Sequence, residues 1–212
     1  MAFILSKWSL LHVLEYLEVL SVVIAVVFYF SESGDRLKQK HYQAWQVINT
    51  AQGKGGSGGR VDALEELNRD GIPLVGVDAS SAFLQGIHLE HARLVRSDLN
   101  GADLRDSNFS FADLSDADLH GANFRQSDLH DASLQHANLE DTDLWASDLS
   151  GVDLSGASLD NADLRRANLD KLRWTEIRSI EHANVSAVKN PPEGFIAWAK
   201  QHGAIQTNSE SQ

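Results

Sequence analysis

The chain has 212 residues, a formal net charge of −12 and no cysteine. That length holds one modest domain with appendages, and the missing thiols exclude a disulfide framework, a thiolate metal site and a cysteine nucleophile. Between Ile72 and Glu176 there are 19 Asp and Glu against 8 Lys and Arg, which excludes the clustered cations that non-specific nucleic-acid binding requires.

Residues 1–31 read as a membrane anchor. Leu10–Phe30 is a 21-residue apolar run interrupted mainly by His12, Glu15, Glu18 and Ser21, close to the length of about 20 residues that a spanning helix needs. Trp8 precedes the run and Phe28, Tyr29 and Phe30 close it, the placement of interfacial aromatic residues. A cleaved signal peptide fits poorly, because the segment before the run has one Lys and the apolar tract is long. Arg36, Lys38 and Lys40 outnumber Lys7, so the expected topology is single-pass with the remainder of the chain in the cytoplasm. The run from Val19 to Phe30 is twelve residues, too short to span, so the helix must take in Glu18 and Glu15. Acidic groups at that depth face protein or water. Either these groups sit near the interface or are protonated, or His12, Glu15 and Glu18 mark a face that packs on itself or on a partner's membrane helix.

Residues 32–71 read as a helical connector. Asp35–Gln52 has helix-forming composition, with Leu37, Tyr42, Trp45 and Ile48 as apolar contacts. Gly53–Gly59 (GKGGSGG) is a hinge by composition. It is not a phosphate loop: Ile48 stands where the first glycine belongs, and Gly55 comes after Lys54 where the motif needs Ser or Thr. Val61–Asp70 is expected to be a short helix ended by Gly71, with Leu64 and Leu67 covering the start of the next segment.

From Ile72 to Glu176 the chain divides into 21 five-residue blocks without an insertion. The third position is Leu in 17 of them, the first is Ala, Ser or Thr in 16, and the second is Asp or Asn in 14. A period of five makes no apolar stripe on a helix turning about 100° per residue, and it throws alternate leucines to opposite faces of a straight strand. It fits a short strand and then a corner. Positions one and three point inward, position two points outward, and positions four and five turn the chain. Gly86, Gly101, Gly121, Gly151 and Gly156 all occupy position five, where a tight corner favours glycine. Ser97, Ser107, Ser127, Thr142 and Ser147 are expected to satisfy backbone carbonyls from inside. Phe109 and Phe124 are expected to bulge the core unless neighbours relax.

The blocks ADLRD at Ala102, ADLSD at Ala112, ANFRQ at Ala122 and ANLED at Ala137 resemble the A-D/N-L-x-x motif of the pentapeptide-repeat family. The resemblance covers about half the chain. It implies an all-β solenoid: a right-handed quadrilateral β-helix with four blocks per coil and about five coils over residues 72–176. It also implies, by analogy alone, a bacterial inner membrane.

Residues 177–212 read as a cap and tail. The five-residue frame breaks after Trp174, with one shifted echo at Ala183-Asn184-Val185. After Pro191-Pro192, Glu193–His202 is expected to be a helix with Phe195, Trp198, Ala199 and His202 on one face, covering the open solenoid end.

Twenty-residue stacking would place Gln85, Arg105, Arg125, Trp145 and Arg165 above one another. Arg and Trp are enriched where binding energy concentrates, so Trp145, Arg105, Arg125 and Arg165 are the candidate partner-binding residues. The competing expectation is that Asp103, Asp143 and Asp163 simply neutralise the arginines. A second face carries Asp98, Asp118, Glu140, Asp141 and Asp160. No catalytic set, cofactor or metal site is apparent. His88 and His91 are separated by a corner and lack a third ligand. The expected function is a non-catalytic, membrane-tethered scaffold for protein–protein interaction, as an accessory subunit of a membrane assembly, with other membrane subunits or a second copy as partner. The alternatives are a homo-oligomeric channel or transport component and, through the family resemblance, an acidic DNA mimic acting on a type II topoisomerase.

Overall fold

The structure, a computed structural model, describes residues 17, 20–24, 26–27, 35–51 and 57–206. They belong to two units, Met1–Gln43 and Ala44–Gln212. In the first, the described residues between 17 and 27 are helical, with Leu17, Val22 and Val27 exposed. Among the described residues no helix is long and apolar enough to cross a membrane. His12, Glu15 and Glu18 lie outside the described residues. Residues 35–50 form helix α1, whose last turns belong to the second unit. Leu37 and Tyr42, expected as apolar contacts, are exposed, whereas Ala44 and Ile48 are buried and Trp45 packs on the core.

The second unit is built from single-residue parallel bridges between positions twenty apart, from Asp78 with Asp98 through Asp153 with Arg173. Four five-residue blocks therefore make one turn of a β-solenoid. Each coil hydrogen-bonds to the next through the same three donors. Leu84 N–H donates to Asp103 O at 2.8 Å, Gly86 N–H to Arg105 O at 2.8 Å, and Asp103 N–H back to Ala82 O at 2.9 Å. The corner closes when position one donates to position three of the block before it, as Ala102 N–H does to Leu99 O at 3.0 Å. Position five is then the third residue of that turn and has positive φ: 62° at Gly101, 58° at Asp106 and 59° at Gln126. This is the type II pattern, which explains why glycine recurs there.

Position two has a use beyond facing outward. Its Oδ1 accepts the backbone N–H of position four, from Asn100 onto Asp98 at 3.0 Å, Ser110 onto Asn108 at 2.9 Å and Ser150 onto Asp148 at 2.9 Å. Asp and Asn combine the short reach and the strong acceptor that clasp the corner this way, and Ser does so more weakly. Much of the chain's acidity is thus a by-product of turn chemistry.

Inside, Leu104, Phe124, Leu144 and Leu164 form one column, each at most 1% exposed. Burying each leucine contributes roughly 1.5–3 kcal/mol, and the small residues at position one let the walls approach. Ser107 and Ser127 both donate to Leu104 O, Ser147 to Leu144 O and Thr142 to Leu119 O. Ser97 differs from expectation: its Oγ is buried without a partner.

Pairing continues past Glu176, where the five-residue frame stops. Beyond Arg173 the bridges join residues 21 apart: Ser158 with Ser179, Asp163 with Asn184, Asn168 with Lys189. The extra residue is a β-bulge. Arg178 N–H donates to Ala157 O while Leu159 N–H donates to Ser179 O, both at 2.9 Å, so Arg178 and Ser179 together oppose Ser158.

Helix α2, Arg60–Arg69, buries Ala63, Leu64 and Leu67. It ends in a Schellman motif, with Ile72 N–H on Leu67 O and Gly71 N–H on Asn68 O, each at 2.9 Å. Two of its side chains stand in for a preceding coil. Glu65 Oε1 accepts His88 N–H at 2.9 Å, and Asn68 Nδ2 donates to Glu90 O at 3.0 Å. At the other end lies helix α3, Phe195–Gln201, with Phe195 and Ala199 buried. The Trp174 ring lies 5.6 Å from that of Phe195 and 5.3 Å from that of Trp198. Trp198 is partly buried and His202 is exposed. Ile205 then adds a last bridge to Asn184.

Candidate interaction surface

The twenty-residue register places Gln85, Arg105, Arg125, Trp145 and Arg165 in one column. Gly86, Asp106, Gln126 and Ala146 donate in turn to the carbonyls of Arg105, Arg125, Trp145 and Arg165, at 2.8–3.0 Å. The four candidate residues are thus brought onto one face, but not as a bare cationic ladder. Arg105 makes a two-pronged pair with Asp103, with Nε on Oδ1 and Nη2 on Oδ2, both at 2.7 Å. Arg165 does the same with Asp163, at 2.8 and 2.6 Å. Arg125 reaches instead to the next coil, where its Nη1 donates to Asp143 Oδ2 at 3.1 Å.

The hydrogen bond from Arg105 holds the Asp103 carboxyl below its ordinary range, against a smaller opposing effect of burial. Burial pushes Asp163 up, but its bonds from Arg165 outweigh that and the net shift is downward. Each pair is partly exposed, so it fixes side-chain geometry more than it stabilises the fold.

Along this wall four arginines (105, 125, 165, 166) meet four aspartates (103, 106, 143, 163). The wall is neutral on an otherwise acidic domain. Trp145 is partly buried. The Arg125 guanidinium lies 4.4 Å from its ring centroid and that of Arg166 lies 5.7 Å away, both within cation–π range. Sequence reasoning does not single out Arg166, because position five faces the corner; its positive φ of 62° turns it back onto this wall. Phe83, 56% exposed, bridges to Asp103 at the first-coil end of the same wall.

The acidic face is partly engaged with itself. Asn138 Nδ2 donates to Asp118 Oδ1 at 3.1 Å, Ser158 Oγ to Glu140 Oε1 at 3.2 Å, and Ser179 Oγ to Asp160. Among the described residues no group of three His, Asp or Glu side chains is placed to hold a metal ion.

Stacked five-residue blocks with an inward Leu, an Asx-clasped corner and twenty residues per turn define a parallel β-solenoid of pentads. The family profile described as "Pentapeptide repeats (8 copies)" matches residues 74–110, 107–145 and 146–173. This repeat segment, a little under half of the chain, belongs to the pentapeptide-repeat family.

Among solved structures, a pentapeptide repeat protein from the thylakoid lumen of Arabidopsis thaliana is similar at 24% identity and a TM-score of 0.48, over 54% of this chain and 77% of that one. Rfr23 from the cyanobacterium Cyanothece 51142 is similar at 25% identity and a TM-score of 0.37, over 57% and 65%. HetL, a pentapeptide repeat protein involved in heterocyst differentiation regulation in Nostoc sp. strain PCC 7120, is similar at 28% identity and a TM-score of 0.24, over 62% and 65%. Comparison with curated proteins finds no match.

Proposed function

We propose that this protein is a non-catalytic, membrane-tethered scaffold that docks a protein partner on the Trp145 wall, as an accessory subunit of a membrane assembly. The observation that carries the reading is the Trp145 ring held between Arg125 and Arg166 at 4.4 and 5.7 Å. Aromatic and arginine side chains with balanced charge are what the core of a protein interface selects. The two-pronged pairs at Arg105 and Arg165 hold neighbouring side chains in place, which lowers the ordering cost of binding.

The reading includes a right-handed quadrilateral shaft of about five coils over residues 72–176. Residues 1–31 anchor it, residues 32–71 connect it and residues 177–212 cap it. What supports the tether is the Leu10–Phe30 run with its aromatic flanks. The charge asymmetry around that run supports a solenoid on the cytoplasmic side, and family analogy alone supports a bacterial inner membrane. His12, Glu15 and Glu18 pack against a second copy or another subunit's membrane helix.

The test is co-purification of the full-length protein from membranes in mild detergent, wild type beside Trp145→Ala. The variant should lose associated subunits with its circular dichroism unchanged. An identical set of associated subunits in both preparations rejects the docking wall. Extraction of the intact chain without detergent rejects the tether.

A further inference from the structure

A second exposed aromatic cluster lies away from the Trp145 wall. Phe111 occupies position five of its block with φ 58°, a backbone region costly for a bulky residue. It is 43% exposed. Its ring stacks on His91 at 4.9 Å with planes 16° apart, and meets His130 edge-on at 4.6 Å and 77°. Neither packing nor turn chemistry calls for phenylalanine here; six other blocks place glycine at this position.

Carboxylates predominate around the cluster, although Arg69 lies beside Glu90 and Arg93 stands two residues from His91. Glu90 lies 3.6 Å from His91, and His130 shares a 2.8 Å hydrogen bond with Asp128. The charges that act on His130 are those of Asp128, Asp131 and Asp148. An exposed aromatic ring whose neighbouring imidazoles each carry a carboxylate partner is complementary to a cation, which gains from the ring quadrupole and the negative potential together.

We infer that the His91–Phe111–His130 cluster is a docking surface for a basic segment of a partner protein, which lays an arginine or lysine side chain over Phe111. This surface is separate from the Trp145 wall and does not rest on that reading.

The test is calorimetric titration of the full-length protein in non-ionic detergent with a hexa-arginine peptide. Phe111→Gly leaves net charge unchanged and should weaken binding about two- to fivefold, the loss of one exposed cation–π contact. Its melting temperature should be equal or higher, because glycine suits the backbone there. Phe111→Asn, also tolerant of positive φ, should reproduce the loss. Trp145→Ala should bind the peptide as the wild type does. Wild-type affinity in both Phe111 variants would overturn the inference, as would a loss of the same size in Trp145→Ala, which would mean that the peptide does not select this cluster.

Discussion

Phe109 and Phe124 meet edge to face inside the solenoid, with ring centroids 5.5 Å apart and planes 70° apart. Phe124 stands one block before Leu129, the residue stacked beneath Phe109 in the twenty-residue register. Both rings are fully buried, so two oversized residues share one enlarged space instead of straining two separate coils. Truncating either to alanine should cost about 3–5 kcal/mol. Changing either to leucine should cost under about 1.5 kcal/mol. The double leucine variant should show a coupling of roughly 0.5–1.5 kcal/mol. Urea unfolding of the wild type, the two single leucine variants and the double variant measures this, and strictly additive losses would show that the rings act independently.

Asp148 supplies a pH-dependent contribution. Burial pushes its carboxyl up, but the bonds from Ser150 and Asn168 and the charge of His130 together outweigh that, so the group ionises below its ordinary range. A native pKa below the unfolded one gives stability that is fully present above the unfolded value and lost as pH falls through the native value. Asp148→Asn keeps the Oδ1 acceptor of the corner and should flatten that acid-side loss. Asp148→Ala should cost about 1 kcal/mol at neutral pH. Stability measured from pH 7 down through the carboxylate range separates the two.

Gly156 differs from Gly121 in what stands over it. Both have positive φ, 73° and 62°, but a Cβ on Gly156 would fall 2.1 Å from His136 Nδ1, while one on Gly121 meets nothing within 4 Å. Gly121→Ala should cost about 1–2 kcal/mol from backbone conformation alone. Gly156→Ala should cost more. Combining it with His136→Ala should bring the loss down to the Gly121 value. Thermal melts of the three variants check this, and equal losses at both glycines would show that the imidazole moves aside freely.

Glu65 and Asn68 protect the first coil through two hydrogen bonds, the one accepting from His88 N–H and the other donating to Glu90 O. Replacing both with alanine should cost about 1–3 kcal/mol and should speed amide exchange at His88 before any amide of the inner coils. Unchanged exchange at His88 would mean that burial under α2 suffices.

The five-residue spacing made the solenoid, its leucine interior and the glycine corners legible, because each depends on a residue's own geometry repeated in phase. The stacking of Arg105, Arg125, Trp145 and Arg165 came from the same phase. The expectation that Asp103, Asp143 and Asp163 neutralise the arginines matches the ion pairs observed with Arg105, Arg125 and Arg165. What was illegible depends on contacts across coils or on a change of phase. Arg166 reaches Trp145 only through a left-handed corner. The pairing after Glu176 hides behind one inserted residue at Arg178. The Phe111 cluster draws His91 and His130 from coils before and after it, so no local spacing announces it.

The helix before the first coil does more than shield leucines. A bare solenoid rim would offer its unpaired amide and carbonyl to the matching rim of another molecule, and head-to-tail stacking into fibres would result. By filling the amide of His88 and the carbonyl of Glu90 with a carboxylate and an amide from its own chain, the protein closes that wall of its first rim to a stacking neighbour.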